Sequence, residues 1–307
     1  MTGGPHGIYP VLYTFWDAAG RLDRAAMSAQ VEHCIAAGAH GIAVLGLVTE
    51  VHKMDVNERL HLAGMVGELI GGRLPYAVTA AEPSAAGQVA FARAAAAAGA
   101  SWVILQPPAI RGMGEADLIR FFGQVADAAD IDVAVQNNPV NLDVSLSPDG
   151  LAALHRAHPN IRLLKGEGFS VDIARVIEAT DGAFRVFGGH GGIEFPALLR
   201  AGGAGLIPAP DFLAAQVALY EAWRAGDRGR AEAIHRALLP AIVFMSRSVP
   251  AMLCYGKRLL ARQIGIDPGA DRAPALRPTA FGLAELDILA AQVAAAAAAR
   301  PDRQAAE

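Results

Sequence analysis

Along the first 225 positions, short apolar runs alternate with segments of helical periodicity eight times over. The runs cover 8–13, 41–45, 75–79, 102–106, 132–136, 161–165, 184–187 and 204–207, and most are near-continuously apolar, as strands covered on both faces should be. Between them, Met27, Val31, Cys34 and Ile35 share one face after Asp23, with Gly38 as a stop. Asp55 with Glu58 reads as a capping box, Leu62, Val66, Leu69 and Ile70 form the stripe behind it, and Gly71-Gly72 ends it. Leu118, Phe121, Phe122 and Val125 make the clearest stripe, while Ser147-Pro148 opens a helix that Pro159 must close. Eight such alternations predict an α/β chain folded as a (β/α)8 TIM barrel over 1–225. An open doubly wound sheet would want a glycine-rich turn after its first strand, and Tyr13-Thr14-Phe15-Trp16 is not one.

From 226 to 307 the pattern turns wholly helical, over about 230–245, 249–264 and 283–299, which predicts a C-terminal helical extension packed on the barrel or on another subunit. The alanine-rich end around 290–299 is read as low-complexity helix with a frayed tail. With 53% hydrophobic residues the chain can bury a large core. Its formal charge of -4 comes without any run of Lys or Arg, so no nucleic-acid or anionic-membrane partner is expected. Positions 1–9 lack the basic and apolar regions of a leader, and no later stretch stays apolar for a bilayer's width without Gly, Pro or charge, so the expected location is the cytoplasm. Cys34 and Cys254 make neither a disulfide framework nor a metal cluster and read as core residues.

The candidate chemistry begins at Lys165, where an apolar run ends on an ammonium group before Gly166-Glu167-Gly168. Arginine is the chain's usual cation, and Lys53, Lys165 and Lys257 are its only lysines. An amine in apolar surroundings is partly uncharged and able to attack a carbonyl. The competing reading is a strand-end lysine that reaches water or pairs with Glu167. Catalysis in a barrel belongs at the C-terminal strand ends. There stand Thr14, the stretch from Gly46 to Glu50, Gln106, Gln136 with Asn137 and Asn138, Lys165 with Glu167, and Gly188-Gly189-His190. This polar, amide-rich set suits a polyhydroxylated ligand around a reactive carbonyl. Bland readings stand beside it: Glu50 as a cap or a partner of Lys53, Thr49 as a satisfier of backbone groups, Asn137 and Asn138 as turn residues, His190 as a cap or an acid. The nine histidines show no metal-ligand spacing, so no metal is expected.

On these residues the sequence resembles the dihydrodipicolinate synthase and N-acetylneuraminate lyase family of Schiff-base barrel enzymes, from about position 7 to 266. The carriers are Thr14, the Gly46 to Glu50 stretch, the Asn137-x-Pro139 turn, Lys165 at the Schiff-base position and the Gly188-Gly189 turn. The resemblance implies a homotetramer built from dimers that needs no cofactor and acts on 2-oxo acids. The departures are specific. The hydroxyl pair that holds the substrate carboxylate is Leu47-Val48 here, the family's proton-relaying tyrosine falls at Gln136, and the synthase's arginine falls at Asn141. Gln136 before Asn137-Asn138-Pro139, Thr49 before Glu50, and Glu167 two places past Lys165 look like the 2-keto-3-deoxy-L-arabonate dehydratase subgroup.

The implied reaction is a Schiff-base dehydration of a 2-keto-3-deoxy sugar acid. Lys165 forms the iminium, Glu167 leads Glu50 and His190 as proton carrier, Gln136 positions hydroxyls or water with Asn137 and Asn138, and Thr49 takes the carboxylate. Thr14, Gly189 and His190 complete the binding set. The alternatives are a class I aldolase working on a pyruvate-derived adduct, a metal-dependent lyase, and a catalytically degenerate barrel that only binds a sugar acid.

Overall fold

The computed structural model of the protein describes residues 4–298 apart from Arg111 and Asp143; the tail expected to fray, with the last position of the third extension helix, lies outside them. Eight strands run in parallel: β1 (Gly7–Ile8), β2 (Ile42–Val44), β3 (Tyr76–Ala80), β4 (Trp102–Leu105), β5 (Asp132–Asn137), β6 (Leu163–Gly166), β7 (Arg185–Gly188) and β8 (Gly205–Leu206). Their spatial order is β1-β8-β7-β6-β5-β4-β3-β2. A parallel bridge between Val11 and Ala43 joins the two ends of this sheet, carried by the Ala43 N–H to the Pro10 carbonyl and the Leu12 N–H to the Ala43 carbonyl. The first expected strand is therefore interrupted. Pro10 has no N–H for the side that faces β2, where pairing is reduced to a single bridge, while the Tyr9 and Val11 N–H groups go on donating to the Leu206 and Pro208 carbonyls on the β8 side.

Eight helices alternate with the strands: α1 (Arg24–Ala36), α2 (Val56–Ile70), α3 (Ala85–Ala97), α4 (Glu115–Ala126), α5 (Pro148–Ala157), α6 (Ser170–Ala179), α7 (Phe195–Arg200) and α8 (Leu213–Arg224). The caps are those the residues suggest. Asp23 accepts from Ala25 and Ala26, Asp55 and Glu58 close a reciprocal capping box, and Ser147 accepts from the Gly150 N–H ahead of Pro148. Within the ring, Tyr9, Trp102 and Phe187 from three sides meet with ring centroids 5.4–5.7 Å apart and are fully buried.

After Arg224 the chain is helical: α9 (Arg228–Met245), α10 (Val249–Gln263) and α11 (Ala280–Ala298). Helix α11 contacts α8, α9 and α10 and buries Leu286 and Val293. It is also long and apolar enough to cross a membrane by length and composition, which the expectation from sequence passed over because Glu285 and Asp287 interrupt it. Both cysteines are buried, Cys34 in α1 and Cys254 in α10.

Candidate active site

Parallel register sets Gln136 of β5, Lys165 of β6 and Phe187 of β7 at one level of the sheet. Leu163 and Leu164 lead into Lys165, which is only 5% exposed. Its Nζ lies 3.4 Å from Oε2 of Glu167, a carboxylate that is itself 7% exposed. That same oxygen accepts hydrogen bonds from Gln136 Nε2 at 2.5 Å and Asn138 Nδ2 at 3.0 Å. Gln136 is in turn oriented by Gln106, whose Nε2 donates to Oε1 at 2.9 Å, and the Gln106 carbonyl is held by Gln88. The amides thus converge on one carboxylate. Charge-assisted bonds of this kind hold an anion in a single geometry.

The network continues outward. Asn138 Oδ1 accepts from the backbone and side-chain N–H groups of Asn141, and Asn141 Nδ2 donates to His190 Nε2 at 3.1 Å. His190 has a positive φ of 51° at the mouth. Behind it, Gln216 donates to the Gly191 carbonyl and His235 to those of Gly192 and Ile193, fastening the turn after β7 to α8 and α9. Gly189 has φ -138°, open to any residue, yet a Cβ there would lie 2.3 Å from Glu167 Oε1. Its missing side chain is the space that the carboxylate fills. A cavity of about 440 Å³ opens beside Glu167, Gly189, His190 and Asn141 and runs back between β6–β8 and α6–α7.

Other expected site residues are engaged elsewhere. Thr49, expected to take the substrate carboxylate, donates its hydroxyl to the Leu12 carbonyl and accepts from the Leu45 N–H, wholly buried. Thr14 donates to the Thr49 carbonyl at 2.5 Å. Asn137 donates to the Leu146 carbonyl and accepts from its N–H, so it pins the following loop. Glu50, buried and with φ 62°, sits between two amines: Lys53 Nζ at 2.6 Å and Lys257 Nζ at 3.4 Å. The scarcity of lysine therefore does not single out Lys165, since all three face buried carboxylates.

Two buried groups near this second cluster escaped the reading of the strand ends, which stopped at β7. Asp211 follows β8 and is fully enclosed; burial pushes its carboxyl up to about 7, against the hydrogen bonds of its own and the Phe212 N–H. Tyr13 follows β1; burial raises its phenol well above the ordinary value, and the Asp211 and Glu50 carboxyls push the same way. Both approach Gly256 of α10, where a Cβ would meet the Tyr13 hydroxyl at 2.0 Å and Asp211 Oδ2 at 3.1 Å. The only signal for Asp211 in the sequence is its place after an apolar run.

The sequence profile of the Dihydrodipicolinate synthetase family matches residues 4–278. The 4-hydroxy-tetrahydrodipicolinate synthase of Methanoculleus marisnigri is 32% identical over 240 residues, 76% of this chain and 81% of that protein. The chain belongs to the dihydrodipicolinate synthetase family. A family member from Azospirillum brasilense, L-2-keto-3-deoxyarabonate dehydratase, is 31% identical over 244 residues, 77% of this chain and 78% of its own. Among solved structures of the family, YagE from Escherichia coli, crystallised in complex with pyruvate, superposes with a TM-score of 0.85 at 26% identity, covering 94% of this chain and 98% of its own. The family consists of lyases that act on small molecules, so this chain is placed among lyases, with synthases and a dehydratase alike among its relatives.

Proposed function

We propose that the protein is a Schiff-base lyase that dehydrates a 4-hydroxy-2-oxo acid, the class to which 2-keto-3-deoxy sugar acids belong. The observation that carries this is the buried Lys165 amine 3.4 Å from a carboxylate that two amides hold in place. The amine adds to the C2 carbonyl and water leaves, giving an iminium. Glu167 removes a proton from C3, and the electrons pass into the iminium as an enamine. The enamine returns those electrons to expel the C4 hydroxyl, which takes a proton and departs as water. Hydrolysis of the iminium then frees Lys165 and an unsaturated 2-oxo acid, so one water is lost overall. His190, whose Nε2 accepts from Asn141 at the far end of the Asn138–Asn141 bridge, gives the leaving hydroxyl the proton of its Nδ1. With the Thr49 hydroxyl committed, the substrate carboxylate falls to backbone N–H groups of the turn from Gly46 to Val48. The iminium is the electron sink, so the reaction as written uses no cofactor.

The second reading, retro-aldol cleavage by the same iminium, is favoured by the synthase and aldolase names among the relatives. Dehydration is preferred because the residue at the position of the family's relaying tyrosine is Gln136, an amide that does not titrate, whereas Glu167 stands where a C3 proton would be taken. A homotetramer in the cytoplasm completes the proposal. Borohydride reduction in the presence of pyruvate and a panel of 4-hydroxy-2-oxo acids should fix a mass adduct on the peptide bearing Lys165. The product separates the readings: an unsaturated acid or its semialdehyde tautomer for dehydration, pyruvate plus an aldehyde for cleavage. Lys165→Arg should keep the fold and lose both adduct and turnover. Turnover by that variant, or no adduct with any 2-oxo acid, would leave a binding barrel instead.

A further inference from the structure

We infer that Gln106 is a positioning residue for the proton transfer at C3: its side-chain amide fixes which way Gln136 faces, and Gln136 facing that way holds Glu167; this rests on the Schiff-base reading above. The direction of each bond is forced from one end. An ionised carboxylate only accepts, so Gln136 must turn Nε2 toward Glu167 Oε2, which it meets at 2.5 Å. Its Oε1 then points the other way. Gln136 is buried, with 1% of its surface exposed, and that oxygen accepts from Gln106 Nε2 at 2.9 Å. An amide turned over about its last bond exchanges donor for acceptor with almost no change of shape. Turned over, Gln136 would set an oxygen against the carboxylate and N–H groups against the Gln106 N–H groups, so two like contacts would replace two hydrogen bonds. Gln106 is what makes the productive orientation the satisfied one at both ends.

The main chain of Gln106 is pinned for this work. Its N–H donates to the Ala80 carbonyl of β3 at 2.9 Å, and its carbonyl accepts from Gln88 Nε2 of α3 at 2.8 Å. Gln88 is wholly buried and gives the same nitrogen to the Glu82 carbonyl at 3.0 Å. Register explains the reach. Leu105 of β4 lies beside Val135 of β5, so the next residues, Gln106 and Gln136, leave neighbouring strands at one height, about 5 Å apart. Gln136 lies in turn beside Lys165 of β6. The brace thus crosses three strands and ends on the carboxylate, while Lys165 is held by β6 itself. Iminium formation and proton removal therefore separate in experiment.

The test uses the whole protein with pyruvate in deuterium oxide. Pyruvate joined to Lys165 as an iminium loses a C3 proton to Glu167, and the enamine takes back a deuteron before hydrolysis. Exchange at C3 therefore reads the base, while the borohydride adduct reads the amine. Gln106→Leu removes the donor at similar size and should slow exchange about tenfold with the adduct kept. Gln106→Glu keeps the shape and tests the direction. Its carboxyl donates to Gln136 when protonated and only accepts when ionised, so its exchange rate relative to wild type should fall at least about tenfold from about pH 5 to about pH 9. Lys165, Glu167 and, through Asn138 and Asn141, His190 are the titratable groups joined to this chain of amides, and dividing by the wild-type rate at each pH removes their own part. A side chain that only fills space gives a ratio that is flat with pH. If pyruvate is trapped but that ratio is flat, or Gln106→Leu exchanges within about threefold of wild type, the bracing role is overturned and the Schiff-base reading stands. If the wild-type protein traps no pyruvate, both fall.

Discussion

A methyl group at position 189 is the sharpest probe of the carboxylate. In Gly189→Ala the new Cβ would stand 2.3 Å from Glu167 Oε1, 2.5 Å from Cγ and 2.7 Å from Cδ. Ordinary contact needs roughly 3.5 Å, so the carboxylate must retreat by about an ångström. It is not free to do so cheaply. Gln136 and Asn138 hold the other oxygen at 2.5 and 3.0 Å, and losing one hydrogen bond to a charged group costs about 1.5–3 kcal/mol. A displacement of that size at a reacting centre lowers turnover about a hundredfold, and removing the base altogether, as in Glu167→Gln, lowers it roughly 10²–10⁴-fold. The assay is kcat for dehydration beside urea unfolding and the pyruvate–borohydride adduct. The expected pattern is a hundredfold loss of kcat and a lower unfolding midpoint, with adduct still formed. If Gly189→Ala kept kcat within about threefold while Glu167→Gln lost it, the carboxylate would be shown to move freely and the preorganisation argument would fail.

Two further outcomes follow from the second buried cluster. Glu50→Gln leaves the Lys53 and Lys257 ammonium groups without their carboxylate, and removing one member of a buried ion pair costs roughly 3–5 kcal/mol. The unfolding midpoint should drop sharply while turnover per folded molecule is kept; a selective loss of kcat would return Glu50 to the catalytic set. A carboxyl raised to about 7 in the folded state binds more protons folded than unfolded, so Asp211 makes the native protein lose stability as pH rises from about 4 to about 7, and no further above that. Asp211→Asn should therefore be stabilising at pH 8 and neutral at pH 4, with a ceiling of about 4 kcal/mol from the gap between 3.8 and about 7. An equal effect at both pH values in thermal melts would count against the buried-acid explanation.

The architecture was legible because the strands are near-continuously apolar and several helices announce their start. Asp23, Asp55 and Ser147 cap where they stand in the sequence. The break at Pro10 was written in the chain too, as a missing donor. Lys165 and Glu167 were legible as a pair because they lie two positions apart at the end of one strand. What local pattern does not carry is the commitment of a polar group to a distant partner. Asn137 looks like a ligand-binding amide until its bonds to Leu146 are seen, nine positions on. Glu50 was read beside Lys53, but not beside Lys257. Burial of Asp211 comes from α10 folding over the barrel, which no window of sequence around Asp211 contains.

The link between Glu50 and Lys257 also sets a timetable. The two residues are 207 positions apart, and at roughly 5–20 residues per second a ribosome needs about 10–40 s to get from one to the other. During that interval β3 to β8 are synthesised while Glu50 still waits for its second amine. The nascent barrel is thus obliged to stay open at the β1–β2 seam, or to close there around a carboxylate one partner short, until the last third of the polypeptide arrives.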